Sequence, residues 1–186
     1  MAKRVVQVSA VTGADLAREP FLKDMRTADL RRLATAARFT DIPAGRRIFS
    51  QSDPAERFWL VRDGTVIVDL HMPGRGSVII DTFGPGSVLG WSWLFRPYRW
   101  HFGGVATTPV RAVEFDGRLV RTLCAVDPAM GYELTRRFAE LIVERLETSQ
   151  SRLTELSEAL AECDVPSPFA PGIDGEAAFP SRRRLR

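Results

Sequence analysis

Along this chain the apolar positions change their spacing twice, from helical intervals to short alternating runs and back again. Residues 1–18 carry little periodicity and read as a flexible N-terminal segment. From Pro20 the spacing becomes helical. Leu30, Leu33 and Ala37 share a stripe and Thr27 stands at an N-cap position, which predicts a helix over 28–37. Pro43, Ala44 and Gly45 then turn the chain, and the period shortens. The apolar run from Phe58 to Val61 ends at Asp63-Gly64, a hairpin signal, beyond which Val66, Val68 and Leu70 alternate with Thr65, Ile67 and Asp69. Pro73-Gly74-Arg75-Gly76 makes another turn before a strand from Val78 to Ile80. Phe83-Gly84-Pro85-Gly86 makes a further one, and residues 103–115 supply two strands around Thr108-Pro109. Strands this short and this regularly spaced predict a sandwich or roll that closes on itself.

From Gly117 the helical period returns. A short segment over 118–125 stops before Asp127-Pro128, where Asp127 caps a new helix and Pro128 sits in its first turn. That helix is read to Cys163. Its first half, around Leu134, Phe138 and Leu141, is expected to pack on the roll. Its second half carries a seam at coiled-coil positions: Ile142, Leu146, Ser149, Leu153, Leu156 and Leu160. A stripe that outruns the roll predicts pairing with a second copy. Residues 164–186 hold Pro166, Pro168, Pro171 and Pro180 and read as a disordered tail ending in a run of arginines. The expected organisation is therefore a segment over 1–18, an N-terminal helix and β-roll over 19–128, a long helix over 129–163 and a tail over 164–186. The fold class is α+β, an antiparallel β-roll flanked by an N-terminal helix and a long C-terminal dimerisation helix.

Composition narrows the function classes. No apolar run approaches the ~20 residues of a membrane span, and Gln7 and Ser9 interrupt the apolar stretch at the N-terminus before a signal-peptide core forms. Cys124 and Cys163 match no metal or redox spacing, so reduced thiols in a cytoplasmic protein are expected. Net charge is +3, yet four arginines lie in the last six residues, and without them acids slightly outnumber bases. The basic balance belongs to the tail, not to a folded face of the kind a nucleic-acid binder presents. The long helix has seven glutamates against four arginines from Met130 to Cys163, a balance that repels phosphate backbones.

The richest stretch runs from Phe83 to Phe102 and holds three of the four tryptophans, Trp91, Trp93 and Trp100. Phe95, Tyr98 and Phe102 join them. His71 and His101 are the only histidines, too few for a His-rich metal site, and no paired carboxylates, Ser/His/Asp set or Gly-Lys-Ser/Thr loop is present. No catalytic residue is assigned and no enzyme activity is expected.

Taken in order, Phe39, Ile42-Pro43-Ala44-Gly45, Ile48, Gln51, Asp53, Phe58-Trp59-Leu60-Val61, Gly64-Thr65-Val66, Phe83-Gly84-Pro85-Gly86, Gly90 and the run from Asp127-Pro128 to Arg145-Leu146 resemble the cyclic nucleotide-binding domain of the catabolite activator type. The resemblance covers about residues 21 to 160. One departure is Ser52, where the family usually has glycine, which implies a slightly altered turn. In that family a cassette opens Gly-Glu and closes about nine residues later in Arg. The carboxylate receives the ribose 2′-hydroxyl, and the guanidinium holds the cyclic phosphate. Here Gly90 is kept, the Glu position is Trp91, and the Arg position is Trp100, with Arg99 one residue early. An indole has one N–H donor and no charge, so it replaces neither group.

The resemblance thus implies a regulatory module, and the residues argue against cyclic AMP bound in the family manner. Gly90, Trp91, Ser92, Trp93, Arg99, Trp100 and His101 form the candidate ligand or partner site. Their aromatics either plug the old nucleotide pocket, line a remodelled small-molecule pocket, or face a partner protein. No cofactor is assigned. An axial haem role for His101, which some relatives of the fold use, stands behind a hydrogen-bonded structural role. The helix-turn-helix of the family's transcription factors is not expected in the tail, so neither direct nucleic-acid binding nor a membrane role is expected. A homodimer is.

Overall fold

The computed structural model describes residues 10–162 of the chain. Eight short strands pair antiparallel into two four-stranded sheets. One holds, in spatial order, β1 (Ala37–Ile42), β8 (Val110–Asp116), β3 (Arg57–Asp63) and β6 (Val88–Leu89). The other holds β2 (Arg47–Phe49), β7 (Gly103–Ala106), β4 (Val66–Met72) and β5 (Gly76–Phe83). The expected antiparallel roll is the fold found. Gly64 makes the β3–β4 hairpin with a φ of +86°, and a Cβ there would run into Pro109 and Val110. The Asp63-Gly64 signal therefore reflects a close approach as well as a turn.

Alternation along β3 divides its side chains between two environments. Trp59 and Val61 join Ala112 of β8, Val66 and Val68 of β4, Phe49, Leu89, Trp100 and Ala106 in the roll's interior. Phe58 turns the other way and stacks on Phe115, 4.5 Å between ring centres. The β4 alternation expected to run through Leu70 breaks after Val68, where the pairing with β5 slips by one residue. The extra residue, Ile80, lies in β5. Asp69 is buried beneath Arg47, and Leu70 is only half-buried.

Four helices flank the strands: α1 (Gly13–Leu16), α2 (Thr27–Ala34), α3 (Gly117–Val126) and α4 (Pro128–Glu162). Over residues 10–18 the expectation of a loose segment does not hold. Thr12 and Asp15 form a reciprocal capping box and Leu16 is fully buried. The expected helix at 28–37 is shorter and starts earlier. Arg26 is its N-cap without a side-chain bond, Thr27 is its first residue, and Ala37 opens β1 instead. The later reading holds at Asp127, and α3 has a cap the sequence reading did not name. Asp116 accepts from the N–H groups of Arg118 and Leu119, and Asp127 Oδ1 accepts from Met130 N.

The chain falls into two units, Met1–Glu140 and Leu141–Arg186. In the first, Met130, Leu134 and Phe138 of α4 are buried, and Phe138 meets Phe21, Phe58 and Trp93 edge-on. In the second, Leu141 and Ile142 are half-buried, whereas Leu146, Leu153 and Leu156 are exposed. Ser149 Oγ bonds back to the Arg145 carbonyl. The side chain of Leu160, Cys163 and the 164–186 tail lie outside the described residues, as do residues 1–9 of the N-terminal segment.

Candidate functional site

The loop from Gly90 to Phe102, between β6 and β7, sends its three indoles to three different places. Trp100 enters the roll, 6% exposed, and stacks on Phe49 at 4.3 Å and Trp59 at 5.9 Å. Phe49 also stacks on Trp59 at 5.6 Å, so three rings form one interior cluster. The loop's glycine makes room for it. Gly90 has a φ of +82°, and a Cβ there would lie 2.7 Å from the Trp100 ring.

Trp93 leaves the roll for the opposite side of β3. It is fully buried, stacks on Phe58 at 4.8 Å and meets the edge of Phe138 at 5.5 Å. Its indole N–H has no acceptor among the described residues. A donor left without a partner costs about 1–3 kcal/mol, which the burial of so large a ring offsets. Trp91 is half-buried. It stacks on His101 at 5.0 Å and meets Phe95 edge-on at 6.3 Å, with Phe95 42% exposed. Buried Ser92 places its Oγ 3.1 Å from His101 Nδ1, so the imidazole has a hydrogen-bonded role in the loop.

Arg99 does not reach the interior. Its guanidinium donates to the Ser52 carbonyl at 2.7 Å and its backbone pairs with Pro54, tying the loop to the turn after β2. Arg121 of α3 holds the same loop from the other side, donating to the Trp93 carbonyl at 2.6 Å and lying 4.3 Å from the centre of the Tyr98 ring. Ser52 takes a φ of +69°, so the turn keeps a left-handed residue without the glycine that suits it.

Two buried carboxylates, neither singled out by the sequence, complete the picture. Asp69 is gripped by both terminal nitrogens of Arg47 at 3.0 and 2.8 Å, across a Gly103 whose missing side chain leaves them room. That hydrogen-bonded pair, more than the charge, holds the Asp69 carboxyl below its usual range. Glu114 Oε2 accepts the Trp59 indole N–H at 3.1 Å, while Oε1 takes Arg38 at 2.6 Å and lies 3.2 Å from Arg57. The signal for both pairs lay in the sequence only as isolated charges in apolar strands; their partners are set by sheet pairing. Among the described residues no group of three or more His, Cys, Asp or Glu gathers to hold a metal ion, and no helix is long and apolar enough to cross a membrane.

The cyclic nucleotide-binding domain family matches residues 39–127, the span from β1 to the Asp127 cap. Residues 39–127 thus form a domain of the cyclic nucleotide-binding type. A CRP-like cAMP-activated global transcriptional regulator of Mycobacterium tuberculosis is 23% identical over 141 residues, which are 76% of this chain and 61% of that protein. The chain thus spans about three-fifths of the curated relative it matches. Among solved structures, a putative cyclic nucleotide-binding protein from Geobacter metallireducens GS-15 superposes with a TM-score of 0.67 at 24% identity, covering 73% of this chain and 98% of its own. A cyclic nucleotide-binding domain from Methylobacillus flagellatus KT gives 0.65 at 21% identity, covering 71% and 74%. At these identities the likeness is one of fold.

Proposed function

We propose that this chain is a non-enzymatic regulatory module whose roll is occupied by its own aromatic side chains and which acts through a second copy bound along α4. The observation that carries the reading is Trp100. Its uncharged ring lies in the interior beside Phe49 and Trp59, and the resemblance assigns its position to the arginine that holds the cyclic phosphate. Trp91 offers no carboxylate for a ribose hydroxyl, and Arg99 is engaged outside the roll with Ser52. Losing one hydrogen bond to a charged group costs roughly 1.5–3 kcal/mol, and both charged contacts are lost here. Trp93 supports coupling, since it joins the loop to the first part of α4 through Phe138.

Titration calorimetry with cyclic AMP and cyclic GMP at millimolar concentration tests the first half of the proposal. No saturable heat is expected, and micromolar binding abolished by Arg99→Gln would refute it. A second reading has its own support. Phe95 is 42% exposed beside half-buried Trp91 and exposed His101, a small aromatic face that suits a partner protein. In that case the plugged roll serves as a rigid adaptor.

A further inference from the structure

The inner row of the first sheet does not stay apolar along its whole length. One alternation beyond Ala112 and Trp59, the same face carries Glu114, Arg57 and, on β1, Arg38. The ladder sets Arg38 opposite Glu114 and Glu114 opposite Trp59. Glu114 is 8% exposed, and a carboxylate so placed requires partners. Arg38, Arg57 and the Trp59 indole supply them. Both arginines nevertheless stay more than half exposed, at 58% and 54%, with most of their five N–H donors unspent on Glu114.

Two clefts of about 260 and 280 Å³ meet at this row, and both are lined by Arg57 and Glu114. The first also receives Trp59, Arg46, Arg47 and Asp41. The second receives Arg38 and Asp116, whose carboxylate is occupied in capping α3. One buried carboxylate therefore fixes two guanidiniums at the wall of open, polar space.

We propose that this end of the roll binds a small phosphate-bearing anion through Arg57 and Arg38, and that occupancy is passed to the aromatic cluster through Trp59. Guanidiniums match tetrahedral oxyanions with paired N–H donors. Arginines already oriented by Glu114 lose less freedom on binding than free ones. An anion at the two arginines competes with Glu114 for their N–H groups. The same carboxylate holds the Trp59 indole, which stacks on Phe49 and Trp100. Site and cluster thus share one group, and no space inside the roll is required.

Inorganic pyrophosphate added to the full chain provides the test, read by calorimetry and by tryptophan emission. One saturable site per chain is expected, with affinity that weakens as salt rises. Emission should change in the wild-type chain, while Trp59→Phe binds but loses most of that change. Arg38→Gln and Arg57→Gln should each weaken binding about tenfold or more, whereas Arg75→Gln, in the β4–β5 turn, should not. Should Arg57→Gln fail to fold, Arg57→Lys keeps the charge, loses the fork and should still weaken binding. Absence of binding, or equal binding by wild type and both arginine variants, overturns the site. Binding with unchanged emission overturns the link to the cluster. Cyclic AMP binding that survives both arginine changes would count against the occupied roll and not against this site.

Discussion

Ser52 holds a φ of +69° in the turn after β2, while Arg99 grips its carbonyl. A left-handed conformation costs an L-residue with a Cβ roughly 1–2 kcal/mol, and glycine escapes that term. Ser52→Gly should therefore raise stability by about 1 kcal/mol, the gain being trimmed by glycine's freer unfolded chain. Urea melts of the two proteins would show it as a higher midpoint at unchanged slope. Asp69 makes a different residue-level prediction. Its carboxyl lies below the ordinary value of about 3.9 because Arg47 bonds the charged form. The resulting stabilisation is fully present above the unfolded pKa and is lost as pH falls through the lower folded value. Melting temperature should drop below about pH 4, and in Asp69→Asn this portion of the acid loss should vanish. An acid limb of identical steepness in the two proteins would rule the pair out as its source.

The loop between β6 and β7 gives each of its indoles a distinct energetic role, so truncations should separate cleanly. Trp100→Ala removes a ring packed against Phe49, Trp59 and Gly90 and should cost about 3–5 kcal/mol. Trp91→Ala, from a half-buried stack on His101, should cost far less. Equal losses in chemical denaturation would contradict the division. That division was only partly legible in the sequence. The run of short strands and turns, the Asp63-Gly64 hairpin and the Asp127-Pro128 helix start all depend on local spacing, and local spacing is what a sequence displays. β1 was hidden because Ala37 continues the α2 stripe, and nothing local marks the point where the chain turns into sheet. Asp69 read as a solvent-side residue because the Arg47 that covers it arrives from β2 through the pairing of distant strands. Likewise Trp91, Trp93 and Trp100 are alike in composition, and only tertiary packing distinguishes roll interior, helix contact and surface stack.

At the scale of the whole molecule the second half of α4 poses the remaining question. Leu146, Leu153 and Leu156 are 56%, 67% and 60% exposed and recur at the spacing of a coiled-coil seam. Most helical stability in proteins comes from burying an apolar stripe. If a second copy covers this stripe, association and folding of the helix are linked, and the melting temperature must rise with protein concentration. Light scattering at micromolar concentration should give twice the chain mass. Leu153→Glu places a charge at the centre of the seam, where two copies would bring like charges together. It should yield a monomer whose melting no longer depends on concentration. The variant's far-UV ellipticity should fall by the share due to residues 141–162, while near-UV bands from the buried tryptophans persist, because Met130, Leu134 and Phe138 pack without that half of the helix. A wild-type chain that scatters as a monomer, with concentration-independent melting, would refute the second copy and leave the exposed aromatic face as the surface through which this module acts.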